Sequence, residues 1–164
     1  MKIERVWAMP NKWTFTINPI KNLILEEYLG GPSVDPFAGT SKIATYRNDI
    51  NPERGTEFKM GALEFLKSMP DNKFIFGFFD PPYSPRQFKE CYDMLKIKAP
   101  IEVFNAGYLA KCKNEMARII RPNGRVLCCD WNSNGMGKKR GFELYRILLV
   151  CHGSGHNDTI VTVE

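Results

Sequence analysis

Residues 74–79, Phe-Ile-Phe-Gly-Phe-Phe, form an unbroken apolar run that ends at Asp80. A strand with one face in water alternates apolar and polar residues, whereas this run is apolar at every position. Such a segment is typical of a central parallel strand that helices cover on both faces. In open α/β sheets, ligands bind beyond the carboxyl ends of the strands, which is where Asp80 stands.

Helix and strand patterns alternate around this run. Apolar spacing predicts helices over 19–29, 60–69, 86–98 and 105–120, and strands over 33–34, 125–130, 144–151 and 159–163. This alternation favours a three-layer α/β fold with a mostly parallel sheet, and the last two strands predict a C-terminal antiparallel hairpin. For 164 residues we expect a single domain, 1–164, with no separate target-recognition domain.

Composition narrows the classes of function. The 23 basic and 18 acidic residues give a net charge of +5, which fits either a polyanionic partner or simply a basic surface. No apolar run approaches the ~18 residues of a membrane span, and the first residues lack the apolar core of a signal peptide. The five cysteines include the adjacent pair Cys128-Cys129 and no C-x-x-C pair. They indicate reduced thiols in a cytoplasmic protein without a zinc site, and we expect no metal and no membrane partner.

The loop Asp-Pro-Phe-Ala-Gly-Thr at 35–40 follows the first short strand. Gly39 would let the backbone approach a ligand closely, and Asp35 would accept hydrogen bonds from a ligand cation. The glycine patterns of dinucleotide-binding and phosphate-binding loops are absent, which disfavours a site built around phosphate. A purely structural strand-to-helix turn is the competing interpretation.

The loop Asp80-Pro81-Pro82-Tyr83 follows the central strand. Its two prolines fix φ and lack N–H groups, so the backbone is rigid. The Asp80 carboxylate and the Pro81 carbonyl together present two acceptors, a pair that suits the two protons of an –NH2 group. Tyr83 adds a flat face on which an aromatic ring could stack. The competing interpretation is a proline-stiffened surface turn.

In this order the two loops resemble motif I and motif IV of the S-adenosylmethionine-dependent DNA amino-methyltransferases. The segment Trp13-Thr14-Phe15 and the following helix resemble motif X, which precedes motif I in some classes of that family. The resemblance covers roughly residues 10–130. The stretches 130–135 and 156–159 resemble the tail of small phage-type members, which implies a phage or prophage enzyme, with or without a partner restriction enzyme.

The resemblance implies S-adenosylmethionine as the cofactor. It assigns the cofactor site to Trp13, Thr14, Phe15, Asp35, Pro36, Phe37, Gly39, Thr40, Asp49, Ala62 and Asp80. The aromatic segment would close over the methionine end, and Asp49 takes the place of the acid that binds the ribose hydroxyls. Only nine positions separate Thr40 from Asp49, so the helix after motif I must be very short or replaced by a loop. Ala62 follows Gly61 where many members carry an acid, which leaves backbone or apolar contacts to the adenine ring.

The resemblance also implies a reaction: methyl transfer to the exocyclic N6 amine of adenine in DNA. Asp80 and the Pro81 carbonyl would hold the amine hydrogens in the rigid loop that Pro82 completes, and Tyr83 would stack on the flipped base. Neither histidine is needed as a base. Adenine is favoured over cytosine because cytosine-amine members more often carry Ser in place of Asp80.

We expect DNA as the partner, with contacts from Arg86, Gln87, Lys138, Lys139 and Arg140, and a homodimer is a candidate assembly. A solvated turn is an equally good interpretation of 138–140. Two further functions remain open. One is amine methylation of cytosine N4 or of RNA, and the other is a catalytically idle module that binds cofactor and nucleic acid.

Overall fold

The computed structural model describes residues 1–153 and 155–164, which form one sheet of seven strands with helices on both faces. The strands are β1 (Lys2–Trp7), β2 (Ser33–Asp35), β3 (Tyr46–Arg47), β4 (Phe74–Phe79), β5 (Ile120–Asp130), β6 (Arg146–Cys151) and β7 (Thr159–Val163). The helices are α1 (Asn18–Glu27), α2 (Ala62–Ser68), α3 (Pro85–Met94) and α4 (Tyr108–Ile119). Short 3₁₀ helices cover Thr14–Thr16, Pro52–Arg54, Ile101–Phe104 and Lys138–Arg140.

The strand order is β1-β6-β7-β5-β4-β2-β3. All neighbours are parallel except β7, which runs antiparallel to both β5 and β6. β6 and β7 are consecutive in the chain, so they form the expected C-terminal hairpin. The expectation of a three-layer, mostly parallel α/β sheet is confirmed.

β4 lies inside the sheet between β2 and β5, as its apolar run predicts. Phe76 and Phe78 pack against α1, whereas Phe74 and Phe79 belong to the core beneath α2 and α4. Gly77 interrupts the aromatic run because α4 lies directly above it. A Cβ at that position would stand 2.8 Å from Met116 Sδ. The aromatic side chains of β4 thus pack on both faces of the sheet, and the absence of a side chain at Gly77 leaves room for α4.

Two strands were not predicted, and some boundaries moved. β1 is an exposed edge strand with Lys2, Glu4 and Arg5, so its sequence lacks the apolar pattern of a buried strand. β3 has only two residues, too few to show a period. β5 starts at Ile120, five residues before the predicted 125, because α4 passes directly into it. The segment 36–45 contains no helix, so the expected replacement of a crossover helix by a loop is confirmed.

Candidate functional site

A cavity of about 710 Å³ opens at the carboxyl ends of β2 and β4. β2 pairs with β3 on one side and with β4 on the other, so the strand order reverses at this point. Open α/β sheets form their ligand crevice at such a reversal. The volume falls within the ~300–1,000 Å³ of small-molecule and cofactor sites.

Nearly all of the residues expected to bind the cofactor or to react line this cavity. They are Trp13, Thr14, Phe15, Pro36, Phe37, Gly39, Thr40, Asp49, Ala62, Asp80, Pro81, Pro82 and Tyr83. The fold therefore brings the three sequence segments 13–15, 35–40 and 80–83 to one site, in addition to Asp49 and Ala62. Their roles toward a ligand remain predictions.

Asp35 is the exception, because it lies beneath the cavity wall and is only 1% exposed. Its Oδ1 accepts a hydrogen bond from the Phe37 N–H at 3.0 Å, while Oδ2 has no partner among the described residues. Burial raises the pKa of Asp35 well above its usual range, and the Phe37 N–H only partly opposes this shift. Buried polar atoms without a partner are rare in proteins. A ligand amine is the kind of group that would satisfy this oxygen.

Trp13 lies against the backbone of the first loop at Gly39. Gly39 has a φ of +53°, and a Cβ there would stand 3.0 Å from Trp13 Cζ3. Two cationic groups flank the indole, since Lys12 Nζ and the Arg54 guanidinium carbon each lie 4.9 Å from the centre of its ring. The N-terminal aromatic segment is thus held over the glycine loop.

Asp49 follows β3, at the edge of the cavity next to the glycine loop. Its Oδ2 accepts from the Gly39 N–H at 2.9 Å and its Oδ1 from the Asn51 N–H at 2.7 Å. Asn48 fixes the strand end by donating to the Pro36 carbonyl at 3.1 Å. The short loop therefore replaces the crossover helix and still places an acid at the end of the neighbouring strand. Each carboxylate oxygen keeps a lone pair for a ligand hydroxyl.

Asp80 and Tyr83 are joined across the proline loop. The Tyr83 hydroxyl donates to Asp80 Oδ1 at 2.5 Å, and Thr14 lines the same cavity. Burial raises the pKa of Asp80 above its usual range, and the hydrogen bond from Tyr83 opposes the shift. Gln87 completes the loop by accepting from the Tyr83 backbone N–H at 2.5 Å.

Sequence reasoning missed an aromatic contact of this loop. The Tyr83 ring packs edge-on against Trp131, with the ring centres 5.6 Å apart and the planes at 69°. Trp131 directly follows β5, the strand next to β4, and its side chain is 41% exposed. A tryptophan placed immediately after a buried strand was the available sequence signal.

The residues expected to contact DNA make contacts within the chain. Arg86 pairs with Glu90 at 2.8 Å, Gln87 is engaged within the loop, and Arg140 bonds Asn114 Oδ1 at 2.7 Å. Lys138 and Lys139 lie in the same 3₁₀ helix as Arg140, and none of the three lines the cavity.

Three other cations, Lys12, Lys42 and Arg54, do line the cavity. None of the salt bridges found in the described part of the chain involves them. These three residues lie far apart in sequence, so no basic run marked them. The structure does not test whether either group of basic residues contacts nucleic acid.

His152 has hydrogen-bond partners that give it a structural role. It is buried, with Nδ1 2.8 Å from the Ala8 carbonyl oxygen and Nε2 2.9 Å from Thr159 Oγ1. The ring thereby connects the end of β1 to the start of β7. Within the described ranges, no three His, Cys, Asp or Glu side chains are grouped to hold a metal. No helix in that part of the chain is long and apolar enough to cross a membrane.

The strand order, the antiparallel β7 and the cavity at the reversal point define a Rossmann-like methyltransferase fold. No family model matches the sequence, and no curated protein is similar enough to match it. Solved structures do match the fold. The precorrin-6y C5,15-methyltransferase of Geobacter metallireducens has a TM-score of 0.56 at 12% identity, with 96% of this chain and 92% of that chain covered.

Two further structures are similar at the same level. The Burkholderia thailandensis 1,6-didemethyltoxoflavin-N1-methyltransferase, with bound 1,6-didemethyltoxoflavin and S-adenosylhomocysteine, has a TM-score of 0.55 at 13% identity and covers 86% of this chain and 74% of its own. An rRNA methylase from Streptococcus thermophilus has a TM-score of 0.52 at 11% identity, with 96% and 98% covered. At these identities the likeness shows the shared fold.

Proposed function

We propose that this protein is an S-adenosylmethionine-dependent methyltransferase that acts on the exocyclic N6 amine of adenine in DNA. One observation carries the proposal: the Asp80 carboxyl and the rigid Pro81 lie in the wall of a cofactor-sized cavity at the strand-order reversal. The likeness to a methyltransferase that holds S-adenosylhomocysteine supports the choice of cofactor.

The cavity residues fit this cofactor by their chemistry. When bound, S-adenosylmethionine supplies an electrophilic methyl group on a sulfonium sulfur. The unpaired carboxyl oxygen of Asp35 lies behind the cavity wall, so the backbone at Pro36 and Phe37 would have to shift before this oxygen could accept from the amine of the methionine end. Asp49 offers acceptor lone pairs to ribose hydroxyls, and Ala62 offers an apolar surface to the adenine ring. Trp13 covers the glycine loop at Gly39.

Asp80 and Pro81 would position the target amine. The nitrogen lone pair of adenine N6 is delocalised into the ring, so the amine is a weak nucleophile. Two fixed acceptors that hold its two hydrogens favour a more tetrahedral nitrogen and aim its lone pair. Alignment and preorganised electrostatics of this kind are the usual source of catalysis when no covalent intermediate forms. The Tyr83 hydroxyl already occupies one acceptor site of Asp80, so the amine either uses the other oxygen or displaces it.

Nucleic acid is the favoured substrate class for two reasons. The net charge is +5, and Lys12, Lys42 and Arg54, which form no salt bridge among the described residues, lie beside the cavity. A base in a duplex must be flipped out to reach such a cavity, at a cost of about a few kcal/mol. The similar rRNA methylase makes RNA the second candidate substrate, and cytosine N4 is the other alternative amine.

The decisive experiment measures transfer of labelled methyl groups to unmodified duplex DNA, single-stranded DNA and RNA, followed by nucleoside analysis. We expect label in N6-methyladenine. Asp80→Ala should abolish transfer while cofactor binding is retained, and Asp93→Ala, on the exposed face of α3, serves as the matched control. Label in cytosine or RNA would favour the alternative amines. Cofactor binding without transfer to any nucleic acid would identify an idle binding module.

A further inference from the structure

Exposed apolar side chains are concentrated along the edge strand β1. Met1, Ile3, Trp7 and Met9 are 75%, 63%, 65% and 68% exposed. β1 is the last strand of the sheet and, among the described residues, pairs only with β6, so its other edge carries backbone groups without a partner there. Proteins commonly protect such edges because they pair readily with another strand. Here the edge is six residues long and carries large apolar groups beside the charged residues Lys2, Glu4 and Arg5.

Backbone hydrogen bonds show which residues face outward. The Lys2 N–H donates to the Tyr145 carbonyl at 2.7 Å, and the Ala8 N–H donates to the Cys151 carbonyl at 3.1 Å. The even-numbered residues therefore direct their N–H groups toward β6. The odd-numbered residues of β1 direct theirs to the open edge, where a further strand would bond to them.

We propose that two copies of this chain associate through antiparallel pairing of their β1 strands, with the two-fold axis at Val6. A two-fold axis perpendicular to the sheet keeps each face of one copy aligned with the same face of the other. Residues that stand opposite each other must then be both odd-numbered or both even-numbered. The axis therefore passes through a residue and not between two residues. The sheet would continue through both copies.

Charge disfavours two of the central registers. An axis at Glu4 would oppose two Glu4 side chains, and an axis at Arg5 would oppose two arginines, which destabilises a cross-strand pair. An axis at Val6 opposes two valines and places each Arg5 opposite the partner's Trp7. That pair is a cation–π arrangement. In the same register Ile3 stands opposite the partner's Met9, so the exposed apolar groups meet each other.

The charges of β1 fit this register on both faces of the sheet. On the odd-numbered face, Arg5 Nε donates to Cys151 Sγ at 3.3 Å, which holds the guanidinium near the sheet. On the other face, Glu4 is already paired with Lys2 and Arg146, at 3.0 and 2.8 Å. Glu4 therefore needs no partner from the second copy. The strand is self-complementary, which favours a second copy over an unrelated protein.

Disulfide trapping tests the register. Two opposed Val6 residues would form a non-hydrogen-bonded pair with Cα atoms about 4.5 Å apart, within the ~4.4–6.8 Å that a disulfide spans. In a Cys91→Ser/Cys151→Ser background, which removes the two half-buried native thiols, we expect Val6→Cys to give a covalent dimer on mild oxidation. Glu4→Cys and Arg5→Cys report the two alternative registers. A cross-link at either of them in place of Val6→Cys would overturn the register.

Light scattering after size-exclusion chromatography tests whether the β1 edge is a dimer interface. We expect the wild-type chain to run at twice its 18.8 kDa mass and Trp7→Lys to run as a monomer. Leu25→Lys, the same change at an exposed site on α1, should remain dimeric. A monomeric wild type without cross-linking, or a dimer that survives Trp7→Lys, would overturn the proposal. Neither readout depends on methyl transfer, so this inference stands or falls apart from the proposed function.

Discussion

The Tyr83 hydroxyl donates a 2.5 Å hydrogen bond to Asp80 Oδ1, the same carboxyl that the proposed reaction uses as an acceptor. The tyrosine therefore has two opposite effects. It competes with the substrate amine for one oxygen, and it stabilises the ionised form of a carboxyl whose pKa burial raises.

Tyr83→Phe should separate these effects. Loss of the hydroxyl removes the hydrogen bond that opposes burial, so the pKa of Asp80 should rise further. Ionised Asp80 is the required acceptor, so the acidic limb of kcat/KM should move to higher pH. Above that limb the variant should be at least as active as wild type, because one oxygen of Asp80 is released. An unchanged pH profile would show that Tyr83 does not control this carboxyl.

Asp35→Asn should stabilise the protein without ligand and weaken cofactor binding. Burial holds the pKa of Asp35 well above its unfolded value of about 3.9. Its contribution to stability is therefore complete below the unfolded pKa and is lost as pH rises toward the folded pKa. Asparagine carries no charge and can still accept from the Phe37 N–H. Urea unfolding at a series of pH values should show a larger free energy of unfolding at pH 7 and a flatter dependence on pH.

The same variant tests the role of Asp35 toward the ligand. If its unpaired oxygen accepts the cofactor amine, loss of a charged hydrogen bond worth about 1.5–3 kcal/mol should weaken cofactor affinity tenfold or more. Isothermal titration calorimetry measures this directly. Unchanged affinity would make Asp35 a structural residue only.

Gly39→Ala should impair cofactor binding beyond its effect on stability. The added methyl would stand 3.0 Å from the Trp13 ring and force the indole away from the loop. Gly141→Ala is a matched control, because Gly141 also has positive φ but nothing lies within 4 Å of its would-be Cβ. Both variants should lose roughly 1–2 kcal/mol of stability from the left-handed backbone. Only Gly39→Ala should lose affinity, and equal affinities would refute the close packing of Trp13.

Arg146→Met should be the most destabilising of these substitutions. Arg146 is buried and pairs with Glu27 at 2.8 Å and with Glu26 at 2.6 Å, which ties β6 to α1. Its removal leaves Glu27 largely buried without its main charge partner, at a cost of about 3–5 kcal/mol. Arg86→Met breaks only the exposed pair with Glu90 and should cost about 0–1 kcal/mol. Thermal and urea unfolding of both variants would check the difference.

Much of the fold could be predicted because its signals are local. The aromatic run around Gly77 predicts a strand covered on both faces, and the proline loop after it predicts the rigid carboxyl end. The edge strand β1 could not be predicted, because an exposed strand needs no apolar period and its place is set by pairing with β6. β3 is held in place by parallel pairing with β2 and has too few residues to show any pattern.

The sequence predicted which residues would lie near the site, but not which of them would hydrogen-bond to each other. The sequence predicts that Asp49 and Gly39 both belong to the cofactor site. Only the structure shows that the Gly39 N–H donates to the Asp49 carboxylate. The same holds for Asp35, whose side chain turns beneath the cavity wall because the backbone of Phe37 captures it. Such orientations depend on short loops packed by residues distant in sequence, which no periodicity encodes.

Trp131→Ala should weaken nucleic-acid use while leaving cofactor binding intact. Trp131 supports the Tyr83 ring from outside the cavity and is itself exposed beside the proposed amine site. Aromatic stacking on a base is worth about 1–3 kcal/mol, so KM for DNA should rise roughly tenfold or more. Trp131→Phe keeps an aromatic ring and should restore most of the affinity. Steady-state methylation kinetics, with cofactor affinity measured in parallel, distinguish this role. A loss of cofactor affinity equal to the rise in KM would mean that Trp131 only holds the loop in place.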